Sequence, residues 1–158
     1  MSKSATPREG ISVVIPVHHE ADRLEKAVPA WGDALARLGR DYEILVVNDG
    51  STDGAAAILE SFAAGRVKHL HVLKHDSPRG YGACLRTALE QVKNPLLLYT
   101  GLDYPYSTND LFKLLQRIEI RDSVLGKPPD LISGCRTGRP VPLAIAWLGK
   151  TWRLLWRV

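Results

Sequence analysis

The sequence is poor in the residues that cross-link a protein or anchor it in a bilayer. Its 158 residues include two cysteines, Cys84 and Cys135, which are too few for a disulfide framework or a four-thiolate zinc site. No uninterrupted apolar run reaches about 18 residues, which excludes a simple membrane-spanning helix. The first residues lack the apolar core of a secretory signal. Together these absences predict a protein of a reducing, cytoplasmic compartment.

The remaining composition is that of an ordinary soluble domain. The chain is 45% hydrophobic and 24% charged, which argues against the disordered and fibrous classes. Its length corresponds to about one domain. No internal repeat or low-complexity tract interrupts it.

The net charge of +4 is concentrated near one end of the chain. The last acidic residue is Asp130, and the basic residues after it are Arg136, Arg139, Lys150, Arg153 and Arg157. Residues 141–158 predict a helix with apolar and aromatic side chains on one face and basic ones on another. Such a helix suits the surface of an anionic membrane, although packing against a further part of the domain explains the pattern equally well. Five basic residues form too small a basic surface for nucleic-acid binding, so no nucleic-acid partner is expected.

Short apolar strands alternate with helical patterns along the chain. We predict strands at residues 11–15, 42–47, 67–73, 96–99 and 131–133, and helices at 24–38, 51–63, 82–92 and 107–118. This alternation predicts the α/β class, with an open, mostly parallel sheet and helices on both faces. We divide the chain into a flexible leader (1–10), one domain (11–140) and a tail helix (141–158).

The apolar spacing also predicts how these elements pack. Pro29 is expected to kink or restart the first helix. Strand 96–99 is apolar throughout and is therefore expected to be buried on both sides. The core-facing residues of the second and third helices are predicted to be Leu59, Phe62, Ala63, Leu85, Leu89 and Val92.

Polar residues collect directly after the predicted strands, where sheets of this class bind ligands. They are Pro16, His18, His19 and Glu20 after the first strand, Asn48 to Asp53 after the second, Thr100 to Asp103 after the fourth, and Arg136 after the fifth. Carboxylates that converge on one crevice repel each other unless a cation or ligand donors compensate. A sugar nucleotide with a divalent metal would satisfy that arrangement.

Each of these features has an ordinary structural explanation when it stands alone. Asp49-Gly50-Ser51 is common turn chemistry followed by a helix cap, and Glu20 fits the first turn of a helix, where the dipole favours a carboxylate. Their joint order, each directly after a strand, favours a ligand site.

Several competing motifs are absent or weak. No Gly-x-Gly-x-x-Gly or other Gly-rich loop follows the first strand, and no Walker-type Gly-Lys-Ser/Thr occurs, which disfavours dinucleotide-binding, nucleotidyltransferase and phosphate-loop proteins. His69, His71 and His75 are predicted to be structural or solvent-facing. Cys84 and Cys135 have no obvious activating base nearby and are predicted to be buried spectator thiols.

Four blocks of the sequence carry a family resemblance. Residues 11–20, ISVVIPVHHE, are similar to the opening V-V-I-P-x-Y-N-E of family 2 glycosyltransferases, and residues 42–54 resemble the V-D-D-G-S-x-D-G block. Residues 79–84 fit the G-x-x-A block, and residues 131–136, LISGCR, match the S-G-x-R segment of the polyprenyl-phosphate branch, which includes dolichol-phosphate mannose synthase. The resemblance covers residues 11–140.

The resemblance implies a nucleotide-sugar-binding glycosyltransferase A-type fold. It further implies transfer of a sugar with inversion from a UDP- or GDP-sugar to a polyprenyl phosphate or similar acceptor, with Mg²⁺ or Mn²⁺ as cofactor. In this reading Asp49 accepts a base N–H, Asp103 ligates the metal, and Arg136 meets a phosphate. The implied nucleotide-sugar-binding residues are Pro16, His18, Glu20, Val47, Asp49, Arg79, Gly101, Leu102, Asp103 and Arg136.

Two departures from the family pattern keep a second function open. Gly101 stands where the family's metal motif begins with Asp, so one potential ligand is lost. The family's acceptor half and its general base would lie beyond residue 158. We therefore expect either an inverting glycosyltransferase or a non-catalytic nucleotide-sugar-binding or membrane-associated module. Either would be cytoplasmic and peripheral at the inner membrane face through residues 141–158.

Overall fold

A computed structural model of the chain describes residues 9–102, 108–119 and 129–134. The chain divides into two compact units, Met1–Phe112 and Lys113–Val158, and the sheet belongs to the first. Most of the predicted leader, the predicted site residues Asp103 and Arg136, Cys135 and the predicted tail helix lie outside the described residues. No helix in the described ranges is long and apolar enough to cross a membrane.

Strands and helices alternate as the sequence predicts. The elements are β1 (Ile11–Val17), α1 (Ala21–Ala36), β2 (Tyr42–Asp49), α2 (Ala55–Ser61) with a following π-helical turn (Phe62–Arg66), β3 (Leu70–His75), α3 (Tyr81–Leu89), β4 (Leu96–Tyr99) and α4 (Thr108–Glu119). The four strands form one sheet in the order β3-β2-β1-β4, and every pairing is parallel. The predicted α/β class with an open parallel sheet is confirmed.

The centre of the sheet is covered on both faces. Val14, Leu45 and Val47 pack against Cys84 and Ala88 of α3. Because side chains alternate along a strand, the residues next to these in β1 and β2 point to the opposite face. On the helical side, α1 contacts both α2 and β2. All seven residues of β1 are buried, which explains why this strand reads as a continuous apolar run.

The observed strands extend further than their apolar cores. β1 continues through Pro16 to Val17, and β2 continues through Asn48 to Asp49. β3 begins at Leu70 rather than at 67 and includes His75, two residues beyond the predicted end at 73. The first helix does not restart at Pro29, since α1 runs unbroken from Ala21 to Ala36.

Other packing expectations were wrong. Leu89 is 50% exposed, and the buried face of α3 consists of the smaller Ala83, Cys84 and Ala88. Leu85 is half-buried and Ala63 is exposed, whereas Leu59 and Phe62 are buried and Val92 packs against the core, as predicted. β4 lies at the edge of the described sheet and is not buried on both sides, since Leu97 and Tyr99 are partly exposed while Leu96 and Leu98 are half-buried. The fifth strand predicted at 131–133 is absent.

Candidate functional site

A cleft of about 220 Å³ opens where β1 and β2 end and α3 begins. The sheet topology creates it, because parallel strands bring the loops at their carboxyl ends to one edge. The residues that line it are Pro16, Val17, His18, Asp49, Pro78, Gly80, Tyr81 and Cys84. Three of the predicted site residues, Pro16, His18 and Asp49, therefore meet in one cavity.

The carboxylate of Asp49 lies buried in the wall of this cleft. Its Oδ1 accepts hydrogen bonds from the backbone N–H of Arg79 at 2.9 Å and from Nδ1 of His75 at 2.6 Å. Its Oδ2 accepts from the N–H of Gly80 at 2.8 Å. Burial by itself raises the pKa of Asp49, but these hydrogen bonds outweigh it and the pKa lies below the usual value. Asp49 is therefore an ionised acceptor that also holds the loop before α3.

His75 is a site residue that the sequence reasoning missed. It is buried, and its Nε2 lies 2.9 Å from Oγ1 of Thr87 on α3. The parallel register pairs Asp49 with His75 at the ends of β2 and β3. Extending both predicted strands by two residues would have placed Asp49 and His75 at strand ends, but only the β2–β3 register pairs them. Its role is structural in the sense predicted, since it positions Asp49.

The loop after β1 is tied to the loop after β2. Nδ1–H of His18 donates to the backbone oxygen of Asp49 at 2.8 Å, and the His18 and His19 ring centroids lie 4.0 Å apart. The backbone N–H of His19 donates to Oγ of Ser51 at 3.2 Å. Asp53 is a polar residue after the second strand whose oxygens suit the start of the next helix, and its Oδ1 accepts from the N–H of Ala55 at 3.2 Å. Its Oδ2 accepts from the N–H of Ala21 at 2.8 Å, and this bond is the main cause of its lowered pKa.

The tight turn after β2 requires glycine. Gly50 has φ of +66°, and a Cβ there would lie 2.7 Å from the backbone nitrogen of Pro78 and the carbonyl carbon of Ser77. The loop that carries the Arg79 and Gly80 amides therefore passes directly against the turn that follows Asp49. This close approach explains how Asp49 reaches two amides some thirty residues away.

The other predicted site residues that the structure describes do not line the cleft. Glu20 is buried, with its Oε1 accepting from Nη1 of Arg23 at 3.2 Å in the first turn of α1. Val47 lies in the core beneath the cleft. The backbone of Arg79 binds Asp49 while its side chain is exposed. Leu102 is buried just after β4, and Gly101 is partly exposed beside it.

One cluster in the described residues brings together metal-ligating atoms. Asp49, His75 and Cys84 each offer one such atom, and the atoms lie within 4.8 Å of one another. Burial and the charge of Asp49 raise the pKa of the Cys84 thiol to about 11. A protonated thiol, an imidazole hydrogen-bonded at both nitrogens and one engaged carboxylate do not form the oxygen-rich ligand set of Mg²⁺ or Mn²⁺. The described residues therefore hold no ligand set for the expected cofactor.

A family model covers nearly the whole chain. The model described as "Glycosyl transferase family 2" matches residues 12–155. Apart from Ile11, it spans all described strands and all blocks on which the resemblance depends.

Two relatives match the larger part of the chain. The undecaprenyl-phosphate 4-deoxy-4-formamido-L-arabinose transferases of two Klebsiella pneumoniae strains are each 28% identical over 120 residues. The aligned region is 76% of this chain but 37% of each relative. The chain thus spans little more than a third of the length of these proteins.

A solved structure shares the fold. The mannosyltransferase PcManGT from Pyrobaculum calidifontis, in complex with GDP-Man and Mn²⁺, superposes with a TM-score of 0.60 at 22% identity. The superposition covers 73% of this chain and 34% of the other. The glycosyltransferase A-type fold expected from the sequence is confirmed.

Proposed function

Because the chain belongs to glycosyl transferase family 2, we propose that its cleft binds the nucleoside diphosphate of a sugar donor. We further propose that the protein transfers the sugar with inversion to a polyprenyl phosphate. The relatives are undecaprenyl-phosphate sugar transferases by name, which supports this acceptor class. The observation that carries the proposal is the ionised, buried Asp49 carboxylate in a cleft at the carboxyl edge of the sheet.

Asp49 is suited to recognise the base. An ionised carboxylate has about four lone-pair sites, and three of them accept the His75, Arg79 and Gly80 donors. The Cys84 thiol also hydrogen-bonds to this carboxylate, and we propose that an N–H of uracil or guanine takes the place of this weak donor. Because the three protein donors fix the carboxylate, it does not need to reorganise when the base arrives.

The apolar part of the lining suits a base ring. Tyr81 begins α3, lines the cleft and is 57% exposed. The ring of His18, which stands at the family's aromatic position, is held by its hydrogen bond to Asp49. Pro16 contributes a further flat surface to the same cleft. We propose that the base lies against Tyr81, His18 and Pro16.

We propose that the diphosphate of the donor contacts residues at the rim of the cleft and residues that follow the described sheet. The exposed side chain of Arg79 stands beside the cleft, and Arg136 remains a proposed phosphate contact. Asp103 directly follows Leu102 and remains the proposed ligand of Mg²⁺ or Mn²⁺, with donor phosphates completing the coordination. When bound, the metal would neutralise charge on the leaving nucleoside diphosphate. Glu20, Val47, Gly101 and Leu102 are proposed to shape the pocket without lining the described cleft.

The sequence beyond the described sheet suggests where the acceptor arrives. We propose that residues 141–158 contact an anionic membrane surface on its cytoplasmic side, where a lipid phosphate would be presented. Residues 11–140 are proposed to form the donor-binding domain, preceded by the leader at 1–10.

Calorimetric titration of the purified chain with UDP and with GDP, each with and without Mn²⁺, tests the donor site. We expect saturable binding of one nucleotide that His18→Ala and Tyr81→Ala weaken, because both rings face the cleft. Asp33→Asn on the exposed side of α1 is the matched control and should bind like the wild type. A folded chain that binds neither nucleotide would refute the proposal.

Gly101 favours one further candidate function. It offers no side-chain ligand at the first position of the expected metal motif, which fits a module that binds the nucleotide sugar without turning it over. Binding that does not respond to Mn²⁺, with no hydrolysis or transfer of the sugar, would support this module. Metal-dependent transfer that is lost in Asp103→Asn would support the enzyme.

A further inference from the structure

A second cleft, of about 310 Å³, lies at the opposite edge of the sheet, where the strands begin. Glu43 is the second residue of β2, whereas Asp49 is its last. The lining is polar and includes Tyr42, Glu43, His69, His71, Lys93 and Asn94. The proposed donor site uses none of these residues.

One oxygen of the Glu43 carboxylate is firmly held. Oε1 accepts from Oγ–H of Ser12 at 2.5 Å and from the backbone N–H of Lys93 at 2.7 Å. The same Ser12 oxygen accepts from the backbone N–H and the side-chain amide of Asn94, each at 3.2 Å. These bonds fix both the position and the orientation of the carboxylate.

The other oxygen of Glu43 is buried without a hydrogen-bond partner in the described part of the chain. The side chain is 5% exposed, so water does not compensate fully for the missing bond. A buried acceptor left unsatisfied costs about 1–3 kcal/mol, and more when it is charged. A carboxylate that is fixed in orientation and has one buried oxygen without a hydrogen bond is suited to bind a cation.

The imidazole of His71 lies near that oxygen. Its Nε2 lies 3.9 Å from Oε2, which is too long for a hydrogen bond, and its ring is 47% exposed. Bonds from Zn²⁺ to carboxylate oxygen and imidazole nitrogen are about 2.0–2.2 Å long. An ion placed between the two atoms therefore bridges this gap with a small rotation of the imidazole.

We propose that Glu43 Oε2 and His71 Nε2 bind a divalent transition-metal ion of the Zn²⁺ class at the amino-terminal edge of the sheet. Imidazole with carboxylate suits Zn²⁺ better than Mg²⁺, and water completes the coordination. The ion would join the beginnings of β2 and β3 and satisfy the buried oxygen. The site is independent of nucleotide binding at the carboxyl edge.

Zn²⁺ titration of the purified chain without nucleotide, followed by calorimetry and by NMR of the histidine side chains, tests this site. We expect saturable binding that shifts the His71 signals and leaves those of His75 unchanged. His71→Gln should weaken the affinity by about tenfold or more. Because this ring is half-exposed, the variant should fold normally. Excess Mg²⁺ should not compete.

Two further variants sharpen the result. Glu43→Gln keeps an acceptor for Ser12 and Lys93 but removes the charge, and it should also abolish binding. His19→Gln makes the same ring-to-amide change at the opposite edge and should bind Zn²⁺ like the wild type. Absence of saturable binding, wild-type affinity in His71→Gln, or shifts confined to His75 and the Cys84 region would each overturn the proposal.

Discussion

His75 donates a hydrogen bond from Nδ1 to Oδ1 of Asp49 across 2.6 Å, and both side chains are buried at the ends of adjacent parallel strands. Through Nε2, the same ring reaches Thr87 on α3 at 2.9 Å. The imidazole thus links β2, β3 and α3 at the point where the cleft opens. Its removal should affect both stability and the position of Asp49.

The first prediction concerns the stability that this link provides. His75→Leu fills much of the same volume but removes both hydrogen bonds, and we expect it to lower the free energy of unfolding by about 1.5–3 kcal/mol. Urea denaturation measures the change. The ring of His71 on the same strand is half-exposed and makes no hydrogen bond. His71→Leu should therefore lower the free energy of unfolding by less than about 0.5 kcal/mol. Equal losses in the two variants would contradict the prediction.

The second prediction concerns acid. The pKa of Asp49 lies below its usual value of 3.8 because hydrogen bonds from His75, Arg79 and Gly80 outweigh the effect of burial. A group with a lowered native pKa contributes stability that is fully present above its unfolded-state pKa and is lost as pH falls through the native value. The difference in unfolding free energy between wild type and His75→Leu should therefore be constant just above pH 4 and shrink at lower pH.

Urea denaturation in small steps from about pH 5 downward measures this difference. Histidines of the unfolded chain are already protonated in this range, so they do not obscure the result. A His75→Leu difference that persists undiminished in acid would show that Asp49 is not the group involved.

The third prediction concerns the thiol beside this pair. Burial, followed by the charge of Asp49, raises the pKa of Cys84 to about 11. Since the thiolate is the reactive form, iodoacetamide should barely label native Cys84 at neutral pH, and the rate should rise about tenfold per pH unit up to that pKa. Mass spectrometry of a Cys135→Ser chain measures the rate. The same chain unfolded in urea should react readily, and rapid labelling of the native chain at pH 7 would be incompatible with the buried thiol.

The centre of the sheet was predictable because its signal is local. Ile15 and Val46 lie in β-branched runs that read as buried strands without knowledge of the neighbours. The strand ends were not predictable in this way. Pro16 and Asp49 are typical loop residues, yet the pairing of β1 with β2 and of β2 with β3 keeps them in strands. Tertiary pairing outweighs local propensity there.

The same limitation explains the errors around the site. The role of His75 depends on the β2–β3 register, which no single segment encodes. The exposure of Leu97 depends on β4 lying at the edge of the described sheet, and an apolar run does not distinguish an edge strand from a central one. Pro16, His18 and Asp49 meet as expected because the rule that ligands bind at the carboxyl edge requires only the strand order and direction.

The fourth prediction concerns the turn after β2. Gly50→Ala introduces a Cβ within 2.7 Å of backbone atoms of Ser77 and Pro78, and it also places alanine at positive φ. Gly39→Ala is a matched control because its φ of +63° is nearly the same and nothing lies within 4 Å of the added Cβ. We expect about 1–2 kcal/mol of destabilisation in the control from backbone strain alone. Gly50→Ala should lose clearly more, and equal losses in denaturation experiments would remove the evidence for close packing of the loop.

The fifth prediction concerns the base. If the ring of Tyr81 stacks on the nucleobase, Tyr81→Phe should retain the affinity for the preferred nucleoside diphosphate, whereas Tyr81→Ala should weaken it by about 1–3 kcal/mol, the usual contribution of base–aromatic stacking. Phe112 is a second exposed aromatic residue, and Phe112→Ala should bind like the wild type. Calorimetric titration measures all four proteins. Equal binding by Tyr81→Ala and the wild type would leave the donor site intact but assign the base to the Pro16 and His18 side of the cleft.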